Sequence, residues 1–419
     1  MTINIIGAGP TGVTIAWELC RQGHEVHIWE KHDTCGGSWW EPAGGRDFHA
    51  PRVLFKRAFA NFRSLLLEMG LKWDDYFVKS DALEKSFFAS IKYFSFLDYF
   101  KLLKLFIKAK SDPTWAKSTS MYDELKDTLS YDGEKLLSVM PIAIDGVSWE
   151  RMTVWEFVDS IDTTIFSTAY TQGTSGRLMG EDMECVLRSR GVQFHFGEEL
   201  VDVEYRQDGY TALFKSGKTI GDGDLILAVD PGPAKRLVKD NWGDVQPILD
   251  EICYGCVNVL LWFDEKPDIE TDIAVLAENE GKILPLWEGD ILSCTIYRPI
   301  GIPENQLVQW IVKTLNIPQP NDFKICWGSK WNGSIWEHEQ TSGIHTSTPI
   351  PVTGKCPDVH MVGMMSPRTI PFASIESAVE VGRIFVSDYF DGRGPKYNAT
   401  GSTLILIIFV IFLFISIYR

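Results

Sequence analysis

The chain is short of positive charge, with 40 Lys and Arg residues against 56 Asp and Glu residues and a formal net charge of −16 over its 419 residues. Binding to the phosphates of nucleic acid requires a basic face, so the sequence argues against nucleic acid as the main partner. Charged residues still make up 23% of the chain and hydrophobic residues 45%, which excludes wholesale disorder and a protein with many membrane spans. We therefore expect a folded protein of two or three domains.

The eight cysteines are scattered along the chain, which excludes the disulfide framework of a small secreted domain. Cys253 and Cys256 form the only close pair, and without a second pair they do not predict a zinc site. We interpret them as residues that enter a buried strand. The sequence also lacks internal repeats, a phosphate-binding P-loop, a Ser-His-Asp set and any metal-ligand pattern, so we expect no metal.

The two ends of the chain differ in what they lack. The N-terminus has no basic leader of the kind found in signal peptides, so we expect the folded part to lie in a reducing, cytosol-like compartment. The C-terminus carries no charge over residues 397–418 and is wholly apolar over 404–415. Those 22 residues would reach about 33 Å as a helix, enough to cross the hydrocarbon core of a bilayer.

Two structures suit this C-terminal segment: a single transmembrane anchor, or a helix buried in the fold. A buried helix of a globular protein keeps a polar stripe, whereas this segment is apolar on every face. Arg393, Lys396 and Arg419 flank it as interfacial charges would. We therefore predict a linker over residues 391–401 and a tail anchor over 402–418, with the lipid bilayer as a partner and the catalytic domain facing the cytosol.

The first forty residues follow the order strand, glycine turn, helix, strand, acid. Residues 3–6 are a short apolar run typical of a buried parallel strand, and the sequence GAGPTG follows at residues 7–12. Residues 11–22 show helical spacing, and residues 25–30 predict a second strand that ends on Glu30. A glycine motif alone is weak evidence, but this complete order predicts a dinucleotide site.

Each residue type in this order suits the phosphates and ribose of a dinucleotide. Gly7 permits a tight turn, Gly9 lets the backbone approach a pyrophosphate, and Gly12 lets the helix pack closely on the strand. The helix N-terminus offers N–H groups and a positive dipole to the phosphates. Glu30 can accept hydrogen bonds from both ribose hydroxyls, and its charge disfavours a 2′-phosphate.

A second glycine pair, Gly36-Gly37, follows soon after Glu30. Together with the first motif it resembles the FAD-binding start of the superfamily of amine oxidases, protoporphyrinogen oxidase and phytoene desaturase. The resemblance implies FAD as the cofactor. Ser38 departs from the basic residue that the family usually has there, and Trp39-Trp40 is similar to flavin monooxygenases. In this part of the chain the resemblance assigns to FAD the residues Gly7, Gly9, Pro10, Thr11, Gly12, Glu30, Lys31, Gly36, Gly37, Ser38 and Trp39.

Two later segments resemble further FAD-binding parts of the same superfamily. Residues 179–237 predict a helix, a series of strands and a hairpin, within which a backbone group would meet the adenine. Residues 359–363 predict a strand that ends in glycine, and residues 371–383 resemble the closing helix, whose N-terminus would stabilise the anionic reduced flavin. The FAD-binding residues assigned in these segments are Leu200, Gly363, Ser374 and Ile375.

The resemblance divides the soluble chain into two discontinuous domains. The FAD-binding domain would comprise residues 1–60, 176–250 and 355–390, and the substrate domain residues 61–175 and 251–354. Within the substrate domain, residues 94–110 are strongly apolar with interspersed lysines. Such a helix could lie in a membrane surface, or be buried in the domain with its lysines extended to solvent.

Three residues are candidates for catalysis. His49 and Arg52 lie in a stretch that resembles the family segment passing close to the flavin ring, where they would transfer a proton or bind an anionic substrate. Asn258 stands where polyamine and monoamine oxidases have a lysine that holds a water beside flavin N5.

The expected fold is α/β: a Rossmann-like FAD-binding domain with an inserted α+β substrate domain and a C-terminal transmembrane helix. The resemblance implies a FAD-dependent oxidoreductase, an oxidase or desaturase, that takes a hydride from an amine or apolar small-molecule substrate onto flavin N5 and passes electrons to oxygen or a quinone. Two alternatives stay open: a flavin-dependent isomerase of the sugar-mutase type, and a non-catalytic membrane flavoprotein.

Overall fold

The computed structural model describes residues 1–43, 47, 52–80, 92–164, 167–206, 209–245, 247–249, 256–271, 273–297, 301–338 and 349–397. The helices in these ranges are α1 (Pro10–Arg21), α2 (Ala60–Glu68), α3 (Trp73–Tyr76), α4 (Phe96–Ser111), α5 (Pro113–Ser118), α6 (Met121–Leu125), α7 (Tyr131–Asp145), α8 (Val154–Thr164), α9 (Gly176–Ser189), α10 (Pro231–Leu237), α11 (Ile273–Glu278), α12 (Glu304–Leu315) and α13 (Ile375–Phe390).

The strands in the same ranges are β1 (Thr2–Ile6), β2 (Glu25–Glu30), β3 (Val53–Phe55), β4 (Phe77–Lys79), β5 (Ala169–Gln172), β6 (Gln193–Phe196), β7 (Leu200–Arg206), β8 (Gly209–Phe214), β9 (Thr219–Ile220), β10 (Asp224–Leu227), β11 (Cys256–Trp262), β12 (Ile283–Glu288), β13 (Ile291–Tyr297), β14 (Asp322–Ile325), β15 (Ser329–Trp331), β16 (Trp336–His338) and β17 (Val359–Met361).

The central sheet has five parallel strands in the order β17-β10-β1-β2-β6. Ile5 on β1 lies opposite Ile28 on β2 and Ile226 on β10, and all three side chains are fully buried. Strands that are covered on both faces read as continuous apolar runs, which is why the sequence revealed them. The prediction of an α/β, Rossmann-like fold is confirmed by this sheet.

A second core lies on one face of this sheet. The antiparallel strands β7, β8 and β9 pack there together with α10. Leu200 and Phe214 belong to the same buried cluster as Ile6, Leu227 and Met361, which end three strands of the central sheet. The second FAD-binding segment is therefore adjacent to the first and the third.

The substrate side contains an antiparallel sheet in the order β12-β13-β11-β14. Alternate residues of β11 point to opposite faces, so Val257, Val259 and Leu261 pack on α12 while Asn258 and Leu260 lie on the other face. The hairpin of β15 and β16 is a separate two-stranded sheet.

Residues 92–164 form the helical part of the substrate side. Helices α4, α5, α6 and α8 share one apolar cluster, and α7 packs through Leu136 and Val139 against α11. Helix α4 begins at Phe96, because Ser95 and Asp98 form a reciprocal capping box.

Helix α2, assigned to the substrate domain from the sequence, packs against α1 and α13 of the cofactor side. Its N-terminus is capped from a distance: the carboxylate of Glu376 on α13 accepts hydrogen bonds from the N–H groups of Asn61 (2.9 Å) and Phe62 (2.8 Å). Phe59, at the N-cap position, provides no side-chain cap. A boundary at residue 60 therefore cuts through a single packing unit.

A buried charge network holds α1, α2 and α13 together. Arg383, only 1% exposed, lies 3.0 Å from Glu68 and 3.5 Å from Glu18. Burial would raise the pKa of Glu68, but hydrogen bonds from Ser64 and the charge of Arg383 lower it to about 2. The Glu68 carboxylate therefore stays ionised throughout the physiological pH range.

The predicted linker begins as a bound segment. Asn61 accepts a hydrogen bond from the Lys396 N–H (2.6 Å) and donates one to the Lys396 carbonyl (2.8 Å), and the Lys396 Nζ donates to Ser64 (2.6 Å). The predicted anchor, residues 402–418, lies outside the described residues. In the part of the chain that the structure describes, no helix has both the length and the apolar composition needed to cross a membrane.

Candidate active site

The first glycine loop joins β1 to α1 through contacts that exclude side chains. A Cβ on Gly12 would lie 2.1 Å from the Gly7 carbonyl oxygen, and one on Gly7 would lie 2.4 Å from the Ala228 oxygen. Gly7 also has a φ of 102°, which favours glycine. Since Gly9 is the N-cap and has no side chain, the first turn of α1 keeps N–H groups for an anion.

The second glycine pair packs directly on the first loop. A Cβ on Gly37 would lie 2.6 Å from the Gly9 Cα, and the Gly36 N–H donates to the Ala8 carbonyl (3.0 Å). Gly36 has a φ of 148° and Gly37 a φ of 57°, so both need glycine. The two motifs that the sequence placed about thirty residues apart thus form one cradle.

Helix α9 closes the other side of this cradle. A Cβ on Gly176 would lie 2.2 Å from the Trp39 oxygen, and one on Gly180 would lie 2.2 Å from the Cys35 oxygen. These glycines stand one helical turn apart and were not identified from the sequence, although their spacing was a usable signal.

Glu30 stands at the carboxyl end of β2, buried against the first loop. It accepts hydrogen bonds from the Ala8 N–H (2.7 Å) and the His32 N–H (3.0 Å). Burial raises the pKa of Asp230 to about 6, Lys31 opposes the rise, and Glu30 adds to it. Lys31 and Asp230 therefore lie near Glu30 at the sheet edge where a ribose would bind. Asp230 was not identified from the sequence.

The third segment meets the first at the same edge. A Cβ on Gly363 would lie 3.0 Å from the Val229 oxygen, next to Gly7. Thr11 donates to the Ala378 carbonyl (3.1 Å), which ties α1 to α13. Ser374 is the N-cap of α13 and accepts from the Ser377 N–H, so the helix begins at Ile375 and not at residue 371, where the predicted closing helix began.

Arg52 lies buried beneath the second glycine loop. Its guanidinium donates to the Ser38 carbonyl (2.6 Å), to Gln172 (2.6 Å) and to the carboxylate of Glu41 (3.3 Å), and it stacks 4.7 Å from the Trp39 ring. Burial lowers the pKa of Arg52, and Glu41 opposes that shift. The structure thus makes Arg52 a support of the loop. Glu41, which also binds Ser175 at the start of α9, was not singled out from the sequence.

The inner face of the antiparallel sheet carries Asn258. The Asn258 carbonyl accepts hydrogen bonds from Ser293 (3.1 Å) and Thr295 (3.2 Å), and its amide lies 3.7 Å from the Cys326 sulfur. Close by, Asp47 binds Lys324 (2.9 Å) and the Trp327 N–H (2.7 Å). Through these contacts Asp47 lies against this face of the sheet. His49 lies outside the described residues.

The peptide between Phe372 and Ala373, just before α13, is held at both ends. The Ala373 N–H donates to Asp145 at the end of α7 (2.6 Å), and Arg368 donates to the Phe372 carbonyl (2.8 Å). Burial raises the pKa of Asp145 to about 7, although Arg368 opposes the rise. The hydrogen bond between Ala373 and Asp145 joins segments more than 200 residues apart, and no local pattern in the sequence indicates it.

These contacts fit the FAD that the sequence implied. The glycines let the backbone of the two loops pack closely together, the N-terminus of α1 lies in the first loop, and Glu30 accepts a hydrogen bond from the Ala8 N–H of the same loop. The residues that would hold FAD are Gly7, Gly9, Pro10, Thr11, Gly12, Glu30, Lys31, Gly36, Gly37, Ser38, Trp39, Leu200, Gly363, Ser374 and Ile375. The three segments that supply them share one edge of the central sheet.

Comparison with known families gives two matches. Residues 5–68 match the family described as NAD(P)-binding Rossmann-like domain, and residues 169–316 match the family described as flavin containing amine oxidoreductase. Thiamine thiazole synthase of Thermotoga maritima is 33% identical over 81 residues, which cover 19% of this chain and 31% of that protein. The sequence similarity to that protein thus spans less than a third of its length.

Solved structures share the fold over most of the chain. Putrescine oxidase is 14% identical with a TM-score of 0.59, and the match covers 93% of this chain and 99% of that one. Cyclohexylamine oxidase from Brevibacterium oxydans is 14% identical with a TM-score of 0.58, covering 91% of this chain and 96% of that one. These solved structures show the shared fold. The family matches and the glycine cradle identify the chain as an FAD-dependent oxidoreductase, similar to the flavin containing amine oxidoreductases over residues 169–316.

Proposed function

We propose that this chain is an oxidase or desaturase that removes a hydride from an amine or another apolar substrate, and that residues 402–418 anchor it to a membrane. The observation that carries the proposal is the glycine cradle, which Thr11 ties to α13 through the Ala378 carbonyl and beside which Trp327 packs on Trp40. FAD, when bound, supplies the acceptor for the hydride.

The residues of the chain divide the remaining work. The N-terminus of α13, capped by Ser374, is the positive end of the helix dipole. It would stabilise the negative charge that an electron-accepting ring gains when it is reduced. Asn258 and its hydroxyl partners Ser293 and Thr295 offer a buried polar group on the antiparallel sheet. Arg52 supports the loop at Ser38, while His49 is proposed for proton transfer.

Amines are the first substrates to test, because two of the structural neighbours are amine oxidases. The experiment is to add amines, isoprenoids and tetrapyrroles to the anaerobic protein and to follow the visible flavin absorption. Bleaching supports the proposal. Recovery of the absorption with oxygen, accompanied by formation of hydrogen peroxide, would identify oxygen as the electron acceptor, and recovery with a quinone would identify the quinone. Absence of bleaching with every class would contradict it.

The same experiment separates the two alternatives. A flavin-dependent isomerase would convert its substrate with the absorption restored in every cycle and no peroxide or quinol formed. A non-catalytic flavoprotein would keep its oxidised absorption with all substrates.

The anchor has its own test on the full chain. A lysine in place of Ile408 and of Ile411 would put charges in the middle of the apolar run, which a bilayer opposes by roughly 2.5–3.5 kcal/mol each. We expect the unaltered chain to float with lipid vesicles in a density gradient and the I408K/I411K variant to remain in the soluble fraction. Equal flotation of both would contradict the anchor.

A further inference from the structure

The exposed apolar side chains are concentrated on one part of the substrate side. Among the described residues, fifteen large apolar side chains are exposed, and five of them lie on α4 or at the start of α7. They are Leu97 (64% exposed), Phe100 (41%), Ile107 (51%), Phe96 (36%) and Tyr131 (82%). We call this group the Phe100 patch.

The Phe100 patch is a continuous surface because of helical geometry. Leu97, Phe100 and Ile107 lie on one face of α4, spaced by three and seven residues, while Leu105, Phe106 and Ala109 on the opposite face are buried. Phe96 and Phe100 meet edge to face with centroids 4.9 Å apart. Asp98 accepts a hydrogen bond from the Ser130 N–H (2.9 Å), which brings Tyr131 to the same end of α4.

Charge on the patch opposes the charge of the molecule. Lys101 and Lys104 are exposed between Phe100 and Ile107, in a chain whose net charge is −16. Lys108 and Lys110, further along, are paired with Glu124 on α6 and Asp159 on α8. Apolar and aromatic side chains interspersed with lysines on one helix face are typical of a surface that lies in an anionic membrane interface.

Helix α7 connects the patch to the site. It starts at Tyr131 in the patch and ends at Asp145, which binds the Ala373 N–H before α13. Its 15 residues span about 22 Å. An apolar substrate in the membrane interface would therefore be within about one helix length of the loop that precedes α13.

We propose that the Phe100 patch is a second membrane-contact surface, through which the substrate side binds anionic lipid headgroups. This proposal rests on the proposed membrane anchoring by residues 402–418. It resolves the two sequence-based possibilities for residues 94–110: one face of α4 is buried in the domain, and the other lies against lipid.

The test places an environment-sensitive dye at the patch of the full chain. In a background with the exposed Cys185 replaced by serine, Phe100→Cys is labelled and the FAD-loaded protein is reconstituted into vesicles of phosphatidylcholine and phosphatidylserine. Phe323→Cys, 50% exposed on β14, is the matched control. We expect the dye at position 100 to brighten several-fold and to be quenched by brominated lipid, with little change at position 323.

The second part of the test changes the two exposed lysines of the patch. Lys101→Glu with Lys104→Glu, remote from the cofactor residues, should abolish the brightening at position 100 on these anionic vesicles while the chain still floats with them. If the chain floats with the vesicles but brominated lipid does not quench the dye at position 100, the membrane contact of the Phe100 patch is rejected and the anchor is retained. Brightening that follows protein concentration instead of lipid would assign the patch to a second copy of the chain, and also overturn it. Failure of the chain to float at all would reject the anchor and the patch together.

Discussion

The cofactor half and the substrate half of the molecule are held together by different kinds of contact. In the cofactor half, backbone meets backbone: a Cβ on Gly12, Gly37 or Gly180 would lie within 2.1–2.6 Å of a main-chain atom. In the substrate half, side chains from neighbouring strands bind one another, as Asn258 binds Ser293 and Thr295. The first kind of contact tolerates one residue type, and the second tolerates several. Substitutions should therefore cost more in the cofactor half.

The largest effect is expected at Gly12. Gly12→Ala would force the Gly7 carbonyl away from α1, because its Cβ would lie 2.1 Å from that oxygen. We expect loss of bound FAD and a fall in the free energy of unfolding of more than about 3 kcal/mol. Flavin absorption of the purified protein and urea denaturation measure both.

Gly394→Ala is the matched control, since its Cβ would meet only the Ser387 hydroxyl, at 3.7 Å. It should keep its FAD and its stability. Retention of full FAD binding by Gly12→Ala would break the contrast between the two halves.

The next effect is expected at Glu376, which caps α2 from α13. Glu376→Ala leaves the N–H groups of Asn61 and Phe62 without this acceptor, at an expected cost of about 2 kcal/mol. Glu376→Gln keeps one acceptor oxygen and should lose about half as much. Urea denaturation that ranks the two variants equally would argue against the cap.

In the substrate half, Asn258→Ala should cost about 1–2 kcal/mol, because Ser293 and Thr295 lose a buried acceptor. Bound FAD should stay at the wild-type level, in contrast to Gly12→Ala. If Asn258 also takes part in catalysis, the rate of flavin reduction by substrate falls with the flavin still bound, as stopped-flow absorbance would show.

The smallest effect is a pH dependence at Asp145. Its pKa is raised from 3.8 to about 7 by burial, so the folded state holds this proton more tightly than the unfolded state. Its contribution to stability is full below pH 3.8 and is lost as the pH rises toward 7. Asp145→Asn can still accept from the Ala373 N–H and should be more stable than wild type at pH 7, where the wild-type carboxyl has lost its contribution.

Near pH 4 the Asp145→Asn advantage should vanish, because Asp145 is then protonated in the folded state. Thermal unfolding of both proteins from pH 4 to pH 8 measures this. A difference that stays constant with pH would show that the carboxyl does not titrate in this range.

The cofactor half could be predicted from the sequence because its requirements are local. The order of strand, turn, helix and acid around Gly7, Gly9, Gly12 and Glu30 is written in about thirty consecutive residues, and the structure reproduces it. Gly36 and Gly37 were recognised as a motif, although their packing on Gly9 was not.

The substrate half could not be predicted to the same depth because its contacts are distant in sequence. Tyr93 and Glu278 are 185 residues apart, and Asp145 and Ala373 are 228 residues apart. The cap that Glu376 provides for Asn61, next to the predicted boundary at residue 60, spans 315 residues. Buried hydrogen-bond partners that are far apart in the chain leave no periodic pattern in the sequence. They also explain why the domain boundary at residue 60 missed α2, whose cap comes from α13.

The most direct test of the central claim is the FAD content of the full chain, purified in detergent with FAD supplied. Three separated segments that form one cradle predict a single FAD per chain, with the bound fraction lost in Gly12→Ala and kept in Gly394→Ala and Asn258→Ala. A folded chain, with its secondary structure intact by circular dichroism, that takes up no FAD would contradict the account.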